Sequence, residues 1–303
     1  MRPIMKIMFC LISFLLMVST AQAETINNMD IVTKNDAIIK AIHASDGFIF
    51  ATPPYWGRKN TKTAFQPFAE YLEKIVGKKV VMIVLKDYAS MLSRTKKKEV
   101  DIGIYGAALY VETKDRCPDL KYIATSIWKG NGKASYYSYL ITRKGSGLLS
   151  VENLHGKSFA FGSKESTSGY KYPRAWMAEQ GIEPQTYFNS LKFLGSHYKV
   201  IDAVLSGEID SGVVSPGPLS KRQKKYGNVF NRIRKFGPIP GTVIAVAGNL
   251  PEETIQKLTS SLLVLPDEVT RTKELEFMGF RILSDAAYNR IREVRKLIST
   301  FEE

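Results

Sequence analysis

Two segments of the chain carry one and the same alternation of apolar and polar stretches. Val80 to Gly106, VVMIVLKDYASMLSRTKKKEVDIGIYG, opens on an apolar run, turns through polar residues and an aromatic, and continues as an amphipathic stretch. It closes on Glu-Val-Asp and a second apolar run. Leu191 to Ser215, LKFLGSHYKVIDAVLSGEIDSGVVS, repeats the order with Glu-Ile-Asp before its last run. Tyr88 precedes Asp101 by 13 residues, and His197 precedes Asp210 by the same 13. Each copy predicts strand, helix, strand, with Tyr88 and His197 at equivalent helix starts. A crossover of this kind joins parallel strands and needs helices over the sheet.

The rest of the pattern extends this picture. Phe48 to Thr52 predicts a strand, and Phe65, Phe68, Leu72 and Ile75 fall at helical spacing before Gly77. Tyr139–Thr142 and Val243–Ala247 are strand-like runs where the two halves meet, and the chain from Pro251 reads as helical, interrupted by Pro266. The expected fold is α/β with two lobes, each a mostly parallel sheet flanked by helices, and two crossover strands at a hinge. Lobe 1 is expected over 24–140 plus 246–303 and lobe 2 over 141–245. Ligands of open α/β sheets bind beyond the carboxyl ends of the strands, so facing lobes make a cleft with Tyr88 and His197 on its two sides.

The start of the chain changes the setting. Arg2 and Lys6, the apolar run Ile7 to Val18 and Ala21-Gln22-Ala23 predict a signal peptide over 1–23, cleaved before Glu24. The run is shorter than the roughly 20 residues of a membrane span. Cys10 lies inside it without the small residues that precede a lipidated cysteine, which leaves Cys117 alone in the exported chain. No intrachain disulfide is then available, and the core must hold the fold. The net charge of +14 is densest at Lys96-Lys97-Lys98 and Lys221-Arg222-Gln223-Lys224-Lys225. Neither cluster is interleaved with aromatics, and export argues against nucleic acid. They read as solvated helix ends whose field attracts small anions.

The candidate chemistry is concentrated in FAFGSKESTSGYKYPRAWM, Phe159 to Met177, where Ser166, Thr167, Ser168 and Gly169 stand between a strand and a helix. A helix start offers unpaired N–H groups and the positive end of its dipole. One hydroxyl suffices to cap a helix; three in a row exceed that need. Gly169 permits close approach of the backbone. Neutral donors with no carboxylate aimed inward suit a compact tetrahedral oxyanion. His197 adds an imidazole and Tyr88 a phenol. In ASYYSYLITRK, alternation sends Tyr136 and Tyr137 to opposite faces, so one of them can reach the cleft. Tyr55, Trp56 and Tyr105 are candidates for its wall. The chain has no metal-ligand spacing, no motif that calls for a cofactor and no Gly-x-Ser-x-Gly elbow. Ser168 with His197 could be proposed as a hydrolase pair, but no recognisable motif supplies an acid to orient the histidine.

FQPFAEYLEKIVG, KDYASML, EVDIGIYG, ESTSGY, GSHYKVIDAVLSGEID and GPIPGT, in this order, resemble the phosphonate/phosphite/phosphate-binding periplasmic proteins of ABC transporters, which have the type II periplasmic-binding-protein fold. The resemblance spans nearly the whole exported chain. It implies that Ser166, Thr167, Ser168 and His197 hold the phosphoryl oxygens with Tyr88 and Tyr136 from the other lobe, choosing Tyr136 over Tyr137. It also implies a monomer in the periplasm that binds a small phosphorus oxyanion, serves an ABC permease of the inner membrane, and has no catalytic role, metal or nucleic-acid partner. Relatives that take aminoalkylphosphonates carry carboxylates at positions that align with Gly217 and Thr242. A buried ammonium without a counter-charge costs several kcal/mol, so the expectation is phosphate, phosphite or a small neutral alkylphosphonate rather than 2-aminoethylphosphonate. Capture is expected to proceed by closure of one lobe on the other. The same cleft would serve a sensor that presents its ligand to a membrane receptor, or a binder of another oxyanion or small organic molecule.

Overall fold

The computed structural model describes residues 32–271 and 275–300; the predicted signal peptide lies outside them. The apolar runs become strands of two sheets. The chain lays down β1 (Phe48–Thr52), β2 (Val80–Val84), β3 (Ile102–Tyr105) and β4 (Lys121–Trp128) in the first. It then builds β5 (Ser135–Arg143), β6 (Ser158–Phe161), β7 (Ser190–Phe193), β8 (Ser211–Val214) and β9 (Phe230–Pro240) in the second. It returns to the first with β10 (Val243–Val246) and β11 (Phe277–Arg281). The strand orders are β11-β4-β10-β3-β1-β2 and β7-β6-β8-β5-β9.

Helices cover the sheets: α2 (Arg58–Val76), α3 (Tyr88–Lys96), α4 (Ala107–Arg116), α5 (Tyr172–Glu179), the short α6 (Pro184–Tyr187), α7 (His197–Ser206), α8 (Pro216–Tyr226), α9 (Glu252–Leu263), the short α10 (Asp267–Thr270) and α11 (Asn289–Ser299). A separate helix, α1, spans 32–44 and is closed by backbone bonds from Ser45 to Ala41 and Ile42. No described helix is long and apolar enough to cross a membrane.

The repeat is present down to single hydrogen bonds. In the first sheet β2 and β3, joined by α3, lie parallel on either side of β1. In the second, β7 and β8, joined by α7, lie parallel on either side of β6. Asp101 Oδ2 accepts from the backbone N–H of Ile49 in β1 at 2.7 Å, and Asp210 Oδ2 from that of Ser158 in β6 at 2.8 Å. The acid shared by the two copies thus ties the start of the middle strand in both sheets. The remaining pairings, made by β4, β5, β9, β10 and β11, are antiparallel, so each sheet is mixed and only the strands around the repeat run parallel.

The predicted helical face of α2 is the one that packs. Phe65, Phe68 and Leu72 are buried with Phe50, Phe277 and Phe280, and Gly77 ends the helix in the left-handed region at φ 68°. Side chains of this size stabilise by about 1.5–3 kcal/mol each on burial. Ile141, Val200, Ile201, Val204, Val214 and Leu219 form the corresponding core of the second sheet. Cys117 is buried as a free thiol.

The chain changes sheet between Trp128 and Ser135 and returns between Pro240 and Val243. Tyr136 to Leu140, which the sequence pattern assigned to the first lobe, therefore pair in the second sheet. The apolar run Tyr139–Thr142 is only the later part of a strand whose first half is Ser135-Tyr136-Tyr137-Ser138. The two crossings run side by side: Gly241 N–H donates to the Ala134 carbonyl at 3.0 Å and Ser126 N–H to that of Thr242 at 2.8 Å.

Candidate functional site

The strand-to-helix turns of both sheets face a cavity of about 80 Å³. A buried water needs roughly 10–15 Å³ on this scale, so the space suits a ligand of a few non-hydrogen atoms. Ser166, Thr167, Ser168, His197, Tyr88 and Tyr136 all stand in its wall, as do Tyr55 and Trp56. Tyr105 does not. Gly103, two residues earlier on the same face of β3, leaves room for the Tyr105 ring to fold back along the strand, and its hydroxyl bonds Thr95 at 2.9 Å beneath α3. Tyr136 enters from the head of β5, within the second sheet, rather than from the first lobe.

The three hydroxyls divide their work. Ser166 is the ordinary cap: its Oγ accepts from Gly169 N–H at 3.0 Å. The turn that follows, Thr167–Lys171, is one turn of π-helix leading into α5. Such wide turns concentrate at functional sites. Thr167 Oγ1 accepts from Ala108 N–H in the first turn of α4, at 2.9 Å, and so reaches from one sheet's helices to the other's. Its own proton remains to be donated. Ser168 Oγ lies 3.4 Å from His197 Nε2.

His197 is held in one tautomer. Its Nδ1 accepts from Ser215 N–H at 3.2 Å, so Nδ1 is bare and the neutral ring carries its proton on Nε2, toward Ser168 and the cavity. Burial lowers its pKa from 6.5 to about 4. The unfolded chain therefore takes up this proton at a higher pH than the folded chain. Stability from this group is full above about 6.5 and is lost as pH falls toward 4, by about 3 kcal/mol at most. His197→Gln is expected to flatten that part of a curve of Tm against pH; the same slope in both proteins would refute it.

Both phenols stay protonated. Burial pushes the Tyr88 pKa up, helped by the neighbouring Tyr136 and by Glu165 and Glu276 and opposed by a bond to Ser166. Burial likewise raises that of Tyr136 to about 12, opposed by a bond to Ser168. Tyr55 sets its ring edge-on to Tyr88, with centroids 5.6 Å apart, and Trp56 stacks on Phe65.

Sequence reasoning missed Glu276. Among the described residues it is the one charged side chain in the cavity wall. It enters from the residue before β11, outside the repeat and far along the chain, and the only local sign is an acid set into the apolar stretch Leu275 to Phe280. Its carboxylate fills the space above Gly217 in the first turn of α8, where a Cβ would lie 1.9 Å from Oε1. An acid thus lies where the side chain at position 217 would have been. The expectation of a site without an inward carboxylate is corrected, and with it the ground for setting aside an ammonium-bearing ligand. Lys129, whose pKa is lowered chiefly by burial and by Lys221, is partly offset by this carboxylate.

Paired crossings, a repeated crossover in each sheet and a donor-lined cavity at the strand ends define a type II periplasmic-binding-protein fold. Residues 50–288 match the family described as ABC transporter, phosphonate, periplasmic substrate-binding protein, and the chain belongs to that family. It is 26% identical over 219 residues to the phosphate-import protein PhnD of Mycolicibacterium smegmatis, covering 69% of this chain and 68% of that protein. It is 26% identical over 248 residues to the phosphonates-binding periplasmic protein of Escherichia coli, covering 78% and 72%. In fold it is similar to PhnD1 of Prochlorococcus marinus, solved in complex with methylphosphonate, with a TM-score of 0.73 and 20% identity over 83% of this chain and 98% of that one. Proteins of this family are substrate-binding components of ABC transporters in the periplasm.

Proposed function

We propose that the protein captures a small phosphorus oxyanion, namely phosphate, phosphite or a short alkylphosphonate, in the cavity between its sheets and hands it to an ABC permease. The observation that carries this reading is the convergence of neutral donors, Thr167, Ser168, His197, Tyr88 and Tyr136, on a space of about 80 Å³ beside the starts of α3, α5 and α7. The relatives named for phosphate import and phosphonate binding, and the one solved with methylphosphonate, agree with it. The two sheets serve as the lobes, 46–128 with 243–300 and 135–240, and close about the paired crossings. The protein works as an exported monomer after removal of residues 1–23, without nucleic acid. It binds rather than reacts: with Nδ1 taken by the backbone and Nε2 protonated, His197 cannot withdraw a proton from Ser168.

Glu276 refines the choice of guest. A carboxylate in the wall accepts a bond from a ligand that carries a proton and repels one that carries none. Sulfate has no proton at neutral pH. Titration calorimetry with phosphate, phosphite, methylphosphonate, 2-aminoethylphosphonate and sulfate is expected to rank a phosphorus compound at least about tenfold above sulfate, a gap of about 1.4 kcal/mol. Glu276→Gln is expected to narrow that gap. Binding of sulfate alone, or of none of the phosphorus compounds, would overturn the proposal.

A further inference from the structure

A second cavity, of about 900 Å³, lies beside the crossing segments and is far larger than the first. Five cations face it, Lys133, Arg234, Lys235, Arg281 and Arg290, against one carboxylate, Glu179, which Arg290 already bridges. Arg234 lies over the Trp176 ring at 4.5 Å and Lys235 over Tyr137 at 4.9 Å. A guanidinium held over an aromatic ring keeps N–H groups able to grip an oxyanion. The side chains of Arg281 and Lys133 bond no carboxylate among the described residues. The cations come from separate elements, β9 on one side and β11 and α11 on the other.

A single small ion could not touch groups spread over a space of this size. We propose that the cavity is a second binding site, for an anion bearing several phosphate groups in series. Such a ligand spans both sheets beside the crossings, from Arg234 and Lys235 on β9 to Arg281 on β11.

Calorimetric titration of the exported protein with tripolyphosphate tests this. The expected result is saturable one-to-one binding that the double variant Arg234→Ala/Arg281→Ala weakens by about tenfold or more. Thr167→Ala, in the small cavity, should bind as the parent does. Four outcomes would overturn the proposal. They are no saturable binding; loss of binding in Thr167→Ala, which would put the anion in the small cavity; equal weakening by Lys224→Ala/Lys225→Ala on α8, which would mean an adventitious ion only; and orthophosphate binding there as tightly as tripolyphosphate.

Discussion

Thr167→Val weakens ligand binding by roughly thirtyfold to a thousandfold, about 2–4 kcal/mol, while the Tm of the ligand-free protein hardly moves. Valine keeps the shape of threonine and removes only the hydroxyl, which serves two partners. It accepts from Ala108 N–H at 2.9 Å, and under the proposed function it turns its proton to the guest. A lost bond to a charged ligand is worth about 1.5–3 kcal/mol, and the stranded N–H adds its own desolvation cost of about 1–3 kcal/mol. Under the proposed closure that second cost falls on the closed state alone, because water would reach the N–H once the lobes part. Calorimetry with the tightest-binding oxyanion gives the number, and a change below about threefold would sink the assignment.

Gly241→Ala acts first on the packing of the two crossings. A Cβ at this position would sit 2.3 Å from the backbone oxygen of Ser126 and 2.8 Å from its Oγ. A backbone atom cannot swing aside as a side-chain tip can, so the two crossings must separate. Overpacking of this kind costs about 1–3 kcal/mol, and Tm should drop by roughly 2–6 °C. Affinity should fall with it, because Gly241 and Thr242 also line the cavity. Thermal unfolding within about a degree of the parent would show that the crossings yield easily.

Much of this architecture was legible because it is local. The strand–helix–strand repeat, the apolar face of α2 and the triplet 166–168 each depend on residues close in sequence. The donors at Tyr88 and His197 could be singled out because the repeat placed them at equivalent helix starts. What stayed hidden depends on long-range register. The insertion of β10 between β3 and β4 makes the first sheet mixed, and no short window contains it. Tyr105 was lost to the wall because Gly103 let its ring turn inward. Glu276 escaped because its importance arises from Gly217, fifty-nine positions earlier, across the gap between two sheets. Single residues that meet only in three dimensions have no pattern to announce them.

The fixed tautomer of His197 has a consequence for the surroundings in which this protein can scavenge. Its ring is neutral at rest and already turns N–H toward Ser168 and the cavity, so the proposed trap needs no proton from outside to be set. Because burial holds the imidazole's pKa at about 4, souring of the medium to about pH 5 neither arms nor disarms that donor. Uptake in acidic water would then track the protonation of the nutrient itself, and a cell would meet scarcity there with the same receptor it uses at neutrality.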